Sequence, residues 1–422
     1  MSKKNKILIF LSLLFLLFLI IAYFFIQNAR VERSWPFNSK LGKYLPKSIK
    51  YYAYKLTNPT DTIIETFYYN LNVDYFSIPS ENATGNGGGV HLLKNNYTLI
   101  ILENGESFVF NNKDKSFRTI KSNILLNKFN SIRDIYIDDN KLAIIATKQV
   151  DANCQSLILN TYKIDYKNIS QINIDFKKLI WESEKVCEDP LANNSGSRVL
   201  IKDNKYYVST GYFTTMSSNL NSYPQSNTSS FGKILEIDNN GKKINFTKGH
   251  RNPQGLFFFN NTIISTEHGP RGGDEINLIQ KDNNYGWPCT TSGTLYSYDF
   301  TNDNDMWPNE KFLNELGCKD ELNFTEPLYT WTPSIIDGAI APSQGIHYKN
   351  DYFKRFKNNI LIGSLAATSL FRMKFNEQFS IINVERINVN ERIRDLTALN
   401  SGEILLYTDG GSIVLLSMKE KL

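Results

Sequence analysis

From Tyr51 onward the chain is written as short apolar runs, each cut by a turn and followed by another run. YTLIILENGESFVFNN has this form around Asn104-Gly105, IRDIYIDDNKLAIIAT around Asp138 to Asn140, and LFFFNNTIISTE around Asn260-Asn261. RVLIKDNKYYVSTGYF, KILEIDNNGKKINF, NNILIGSLAATSLFRMKF and LTALNSGEILLYTDGGSIVLLSM repeat it. Runs of this length read as strands, and Asn, Asp and Gly between them tolerate the left-handed backbone that a tight hairpin demands. The 23 Tyr and 27 Phe also favour strands over helices. Outside the N-terminus almost no stretch has amphipathic helical spacing. A sandwich would need fewer strands than 422 residues supply, so the repeated units predict an all-β propeller.

The N-terminus is different. Ile7 to Ile26 reads ILIFLSLLFLLFLIIAYFFI without a charge, and Lys3, Lys4 and Lys6 precede it. About 20 apolar residues span a bilayer as a helix. The positive-inside rule puts the lysines in the cytoplasm and the rest of the chain across the membrane, periplasmic or extracellular. A signal peptide is the competing reading, but Gln27-Asn28-Ala29-Arg30 lacks a clear A-x-A cleavage site. The expected organisation is an anchor over residues 1–28, a linker over 29–50 and a propeller over 51–422.

Cys154, Cys187, Cys289 and Cys318 make an even count in an exported chain, which suggests disulfides. Three pairings are possible, and the sequential one closes the shortest loops. The spacing fits no zinc motif. The formal net charge is +5, with part of it ahead of the apolar run, and no basic stripe or motif of a nucleic-acid binder is present. Gly85 to Gly89 (GNGGG) is not a phosphate loop, because no Lys-Ser/Thr follows, and it reads as a turn into the first blade. Ser217 to Ser230 reads as a surface loop, and Thr290 to Pro327 as an insertion over the top of the ring.

One stretch concentrates polar chemistry: GHRNPQGLFFFNNTIISTEHGPRGGDEINLIQKDNNYGWP, Gly249 to Pro288. Arg251, Asn252 and Gln254 precede one strand, and His268, Gly269, Pro270 and a Gly-rich acidic turn follow the next. Gly and Pro at that density turn the backbone tightly, so amides and carbonyls can face a ligand. RNPQG, EHGPRGGDEINLI and NYGWP, in that order and spacing, resemble the signature of the soluble quinoprotein glucose/sorbosone dehydrogenases, or aldose sugar dehydrogenases. The resemblance covers about Gly196 to Leu416. It implies a six-bladed β-propeller holding pyrroloquinoline quinone (PQQ) and calcium, and oxidation of an aldose sugar or related aldehyde.

The resemblance also implies roles. Arg251, Asn252 and Gln254 match positions that contact the cofactor, and Arg392 and Arg394 in ERIRDLTAL match two arginines facing its carboxylates, a task suited to guanidinium. Gly269 and Pro270 match carbonyls that ligate calcium, with Asp274 or Glu275 adding charge. Trp331 resembles an aromatic near the sugar pocket, and His268 is placed near it. Two positions depart. Asn194, in NNSGSRVLI, stands where the family has its catalytic His, and an amide accepts no proton near neutral pH. Ala366 stands where a cofactor-reaching Lys belongs. Two function classes therefore stay open: a membrane-anchored PQQ- and calcium-dependent dehydrogenase passing electrons to a respiratory-chain acceptor, or a non-catalytic propeller binding carbohydrate or protein.

Overall fold

The computed structural model describes residues 62–419, apart from residues 84, 86, 95, 121, 123, 125–130, 167–171, 188–193, 214–221, 271, 294–317, 319–322, 332–338 and 377. The expected anchor and linker, and most of the Thr290–Pro327 insertion, lie outside the described residues. Among the described residues no helix is long and apolar enough to cross a membrane.

Six antiparallel sheets make six blades. Each begins with an innermost strand: β3 (Gly88–Leu93), β7 (Ser131–Asp138), β11 (Gly196–Lys202), β15 (Pro253–Phe259), β19 (Pro342–Tyr348) and β23 (Ile393–Ala398). Each innermost strand contacts the next, and β23 contacts β3, so they form a closed ring around an axis. The hairpins follow the turn chemistry. Asp203 and Asn204 both take positive φ, 51° and 59°, between β11 and β12 (Lys205–Thr210), and Asn260 takes 55° between β15 and β16 (Thr262–Glu267). Gly88 and Gly89 open β3, with no helix beyond them.

The apolar faces are buried blade against blade. Six buried clusters occupy the six seams among the described residues. Leu200 and Ile234 of blade 3 meet Leu256 and Ile279 of blade 4, and Leu361 and Leu370 of blade 5 meet Leu396 and Leu406 of blade 6.

Blade 6 is assembled from both ends of the chain. β2 (Asn70–Ser77) pairs with β25 (Ser412–Met418) in one continuous register from Leu71↔Met418 to Ser77↔Ser412. β1 (Thr62–Glu65) adds a fifth, outer strand. Leu71 and Val73, both buried, insert into the seam with blade 5. Leu71→Ala is expected to cost about 2–5 kcal/mol, as for other large-to-small core substitutions. Ile63→Ala, on the exposed face of β1, should stay within about 0.5 kcal/mol. Urea denaturation of the two variants measures the difference.

Candidate functional site

The β15–β16 hairpin explains why two separate polar clusters meet. Residues 251–254 enter β15 as residues 267–270 leave β16, and an antiparallel pair sets those ends side by side. The His268 amide donates to the Asn252 carbonyl at 3.1 Å. The Arg251 amide donates to Glu267 Oε2 at 2.7 Å, and Nη1 donates to the carbonyls of His268 (2.9 Å) and Gly269 (2.8 Å). Its guanidinium lies 5.2 Å over the Tyr212 ring and 5.3 Å over that of Trp287. Glu267 is held in turn by the buried His250, whose Nδ1 lies 2.9 Å from Oε1.

A chain of amides continues from Arg251. Asn252 Oδ1 accepts from the Gly196 amide (3.0 Å) and from Gln254 Nε2 (2.9 Å), and Asn252 Nδ2 donates to Asn194 Oδ1 at 3.4 Å. Asn194 is buried within the same constellation as the expected cofactor residues. Across the site, Arg392 and Arg394 share Asp409. Arg394 grips it with Nε at 2.8 Å from Oδ1 and Nη2 at 3.0 Å from Oδ2, and Arg392 Nε lies 3.1 Å from Oδ2. Arg392 sits one residue ahead of β23 rather than in it, yet both guanidinium groups converge on one carboxylate. Arg392 Nη1 also donates to the Leu365 carbonyl at 3.1 Å, so the methyl of Ala366 stands in the adjacent turn.

His268 reports this convergence. Its Nε2 lies 2.9 Å from the Pro342 carbonyl, which can only accept, so Nε2 carries the proton and Nδ1 keeps its lone pair. Burial, with the fields of Arg251, Arg394 and Arg392 added, pushes its pKa down to about 3. The carbonyls of Gln254 and Arg394 both accept from the Arg198 guanidinium, so the chain segments that carry these arginines come within reach of one side chain.

The turn after His268 is shaped from below. The Gly269 amide donates to Asp274 Oδ1 at 3.0 Å and the Ala341 amide to Oδ2 at 2.9 Å, so both carboxylate oxygens are already engaged by backbone. A Cβ on Gly269 would lie 2.1 Å from the Gly272 carbonyl, which only glycine avoids. Burial pushes Asp274 above the usual carboxylate range, and burial beside Glu267 pushes Glu275 up to about 8. Trp331 pairs with Asp274 from β18 (Tyr329–Trp331), and its carbonyl accepts from Gly273 at 2.9 Å. Its ring packs edge-on against Tyr329 (5.0 Å) and Phe371 (5.6 Å), in the seam between blades 4 and 5.

The donor set fits a planar polyanion. Guanidinium groups pair well with carboxylates, and Arg251 Nε, buried, has no partner of its own. A metal would rest on backbone oxygen. Among the described residues no group of three or more His, Cys, Asp or Glu is arranged to hold one, and the Gly269 carbonyl has a second lone pair beside the one Arg251 uses.

Several site groups escaped sequence reasoning: Tyr212, Trp287, Asp409, and Glu391. Trp287 was visible in NYGWP, and Asp409 in the TDGG turn. Glu391 is buried with neither carboxylate oxygen partnered, and burial near Asp409 holds it well above the usual range. Cys154 pairs with Cys187 and Cys289 with Cys318. The second bond lies next to the Trp287 turn.

The fold has counterparts. The Glucose / Sorbosone dehydrogenase family matches residues 92–416, and the chain belongs to that family. It is 32% identical over 177 residues to aldose sugar dehydrogenase YliI of Escherichia coli, covering 41% of this chain and 43% of that one. It is 28% identical over 221 residues to quinoprotein glucose dehydrogenase B of Acinetobacter calcoaceticus, covering 44% and 45%. These alignments span about half the length of each relative. The soluble aldose sugar dehydrogenase of Escherichia coli in its apo form superposes with a TM-score of 0.65 at 20% identity, over 83% of this chain and all of that one. The PQQ-bound aldose sugar dehydrogenase of Streptomyces coelicolor superposes at 0.57 and 17%, over 82% and 98%. At those identities the superpositions speak for the fold.

Beneath the site the axis holds two buried carboxylates, Asp134 and Asp395. A Cβ on Gly89 would lie 3.0 Å from Asp395 Oδ2 and 3.3 Å from Asp134 Oδ1. Burial pushes Asp395 up to about 7, against the pull of Arg198 and with Asp134 adding to the rise. The native state then binds a proton that the unfolded chain, with a carboxyl near pKa 4, has released. This contribution should therefore be lost as pH rises from about 4 to about 7 and level off above. Asp395→Asn should flatten that part of the profile of melting temperature against pH. An unchanged slope would contradict the assignment.

Proposed function

We propose that this chain is a PQQ- and calcium-dependent dehydrogenase of aldose sugars or related aldehydes. The observation that supports it most is the meeting of Arg251, Arg392 and Arg394 around one site, with a buried guanidinium N–H left unpartnered. A planar tricarboxylate satisfies such a set, because each charge-assisted pair is strong and directional. Arg251, Asn252, Gln254, Arg392 and Arg394 would hold the cofactor. The Gly269 and Pro270 carbonyls would take calcium, with Asp274 fixing the turn from behind. When bound, the quinone supplies the hydride acceptor.

This chain's own residues then bind and orient the sugar and handle its proton. Asn194 can hold the hydroxyl by a hydrogen bond but cannot remove its proton. Nδ1 of His268 keeps a lone pair toward that task, yet with a pKa near 3 it is a weak base. Turnover is therefore expected to be slow. Ala366 leaves the cofactor without the family's lysine. These two departures favour a second reading, a carbohydrate- or protein-binding propeller that keeps the turn for its shape.

In the cell we read the propeller as tethered by Ile7–Ile26 on the outer side of the membrane. Two disulfides suit that oxidising compartment, and a respiratory-chain component there can accept the electrons.

Titration with PQQ, with and without calcium, followed by tryptophan fluorescence, tests the binding. Quenching that saturates and needs calcium is the expected result, and its absence would leave the binding-module reading. Arg392→Ala should weaken binding by about 1.5–3 kcal/mol, the worth of a hydrogen bond to a charged group.

Catalysis is tested separately by dye-linked aldose oxidation. A general base is worth about 10²–10⁴-fold in rate, so Asn194→His should raise a slow wild-type rate toward that factor. Brisk turnover by the wild type would mean that another base does the work.

A further inference from the structure

Arg198 donates to three separate partners at the axis, and the sequence alone assigns it no role. It follows two left-handed residues, Gly196 (φ 61°) and Ser197 (φ 71°), and lies four positions after Asn194. Its guanidinium is fully buried and runs to the axis rather than along its own blade. Nη1 donates to Asp134 Oδ1 on β7 at 3.0 Å. Nε donates to the Gln254 carbonyl on β15 at 2.6 Å, and Nη2 to the Arg394 carbonyl on β23 at 2.8 Å. Three N–H groups thus reach blades 2, 4 and 6 from blade 3.

Both carbonyls lie at bulges of a kind that recurs around the ring, since the ladders of β7, β11 and β19 also skip near their starts. The ladder between β15 and β16 skips between Pro253 and Gly255, and the ladder of β23 skips between Ile393 and Asp395. Gln254 and Arg394 are the skipped residues. A bulge leaves its extra residue out of the ladder and re-aims its side chain. A buried carbonyl without a partner is costly, so the bulges persist only where something else donates to them. Arg198 is that donor for both. Blades 4 and 6 are not neighbours in the ring, and a group on the axis is what can join them.

We propose that Arg198 is the positioning residue of the site: by donating to the bulge carbonyls of Gln254 and Arg394 it sets how their side chains face the cofactor, and through them the affinity for it. The affinity clause rests on the cofactor reading above, whereas the tie between the bulges stands without it. Lysine keeps the charge opposite Asp134 but carries its donors on one nitrogen, and it cannot reproduce a planar fork to three separated acceptors.

The test compares Arg198→Lys with Arg372→Lys in the full chain. Arg372 is an equally buried guanidinium in blade 5, bound to Glu385 (2.6 Å), Asn359 (2.7 Å) and Asn383 (3.2 Å), none of them a site residue. Hydrogen exchange by mass spectrometry is read over residues 252–256 and 392–396, and PQQ affinity by tryptophan quenching well below the melting temperature. Arg198→Lys should speed exchange at both segments at least tenfold and raise the Kd for PQQ at least tenfold. Arg372→Lys should lower the melting temperature yet leave both readouts within twofold of wild type. Unchanged exchange in Arg198→Lys, or equal effects in the two variants, overturns the proposal. Faster exchange with an unchanged Kd overturns its affinity clause. Should Arg198→Lys fail to fold, Asp134→Asn, which keeps an acceptor oxygen but removes the charge that seats the guanidinium, should give the same pattern more weakly, and its absence overturns the proposal. A wild type that binds no PQQ would dismiss the cofactor reading, and the exchange arm would still decide whether Arg198 holds the bulges.

Discussion

The pairing of β2 with β25 completes the last blade of the ring, and the ring positions the site. A propeller is a ring, and a ring of packed sheets keeps its geometry only if the last blade meets the first. Here the closing blade takes two strands from near one end of the described chain and three from the other. Their pairing runs without a register break over seven residue pairs, and that continuity carries the loop-closure entropy of nearly the whole chain. The site depends on this closure because its residues come from blades 3, 4, 5 and 6. Arg251 and Asp409 are far apart in sequence, and the packing of blades 4, 5 and 6 side by side brings their strands into one ring.

Once closed, the ring has an electrostatic problem at its centre. Positive groups gather where a ligand is expected, and burying charge is costly unless it is paired. Asp409 answers two arginines at once, Asp134 answers Arg198, and Glu267 ties the Arg251 backbone to His250. The pairing is incomplete by design of the donor count. Two arginines on one aspartate leave a net positive charge, and Arg251 pairs with carbonyls rather than a carboxylate. A surplus of cation held rigidly, with one N–H unpartnered, is the state expected of a site prepared for an anion.

Much of the fold was legible because hairpin chemistry is local. Asp203-Asn204 and Asn260 mark turns through their own tolerance of positive φ, and the strands beside them follow from alternation of apolar residues. The expected cofactor and calcium residues stood out in the sequence for a different reason. Arg251, Asn252, Gly269 and Pro270 sit in one short stretch, so a family signature could carry them together. Trp331 shows what that route leaves out: the signature does not state that its half-buried ring packs edge-on against Phe371 of the neighbouring blade.

The sequence by itself determined the strands, the turns and the residue types at positions 194 and 366, since each of these depends on residue type and near neighbours. Only the tertiary structure decided that Arg392 and Arg394 share Asp409, that Asn194 joins the amide chain of Asn252, and that Arg198 reaches three other blades. Those facts concern groups from 15 to 196 residues apart along the chain. Nothing in a single sequence states which bulge carbonyl will lack a partner or which guanidinium will stand opposite it. The closed ring settles both, because it leaves each buried donor and acceptor at the axis only a few neighbours with which to pair.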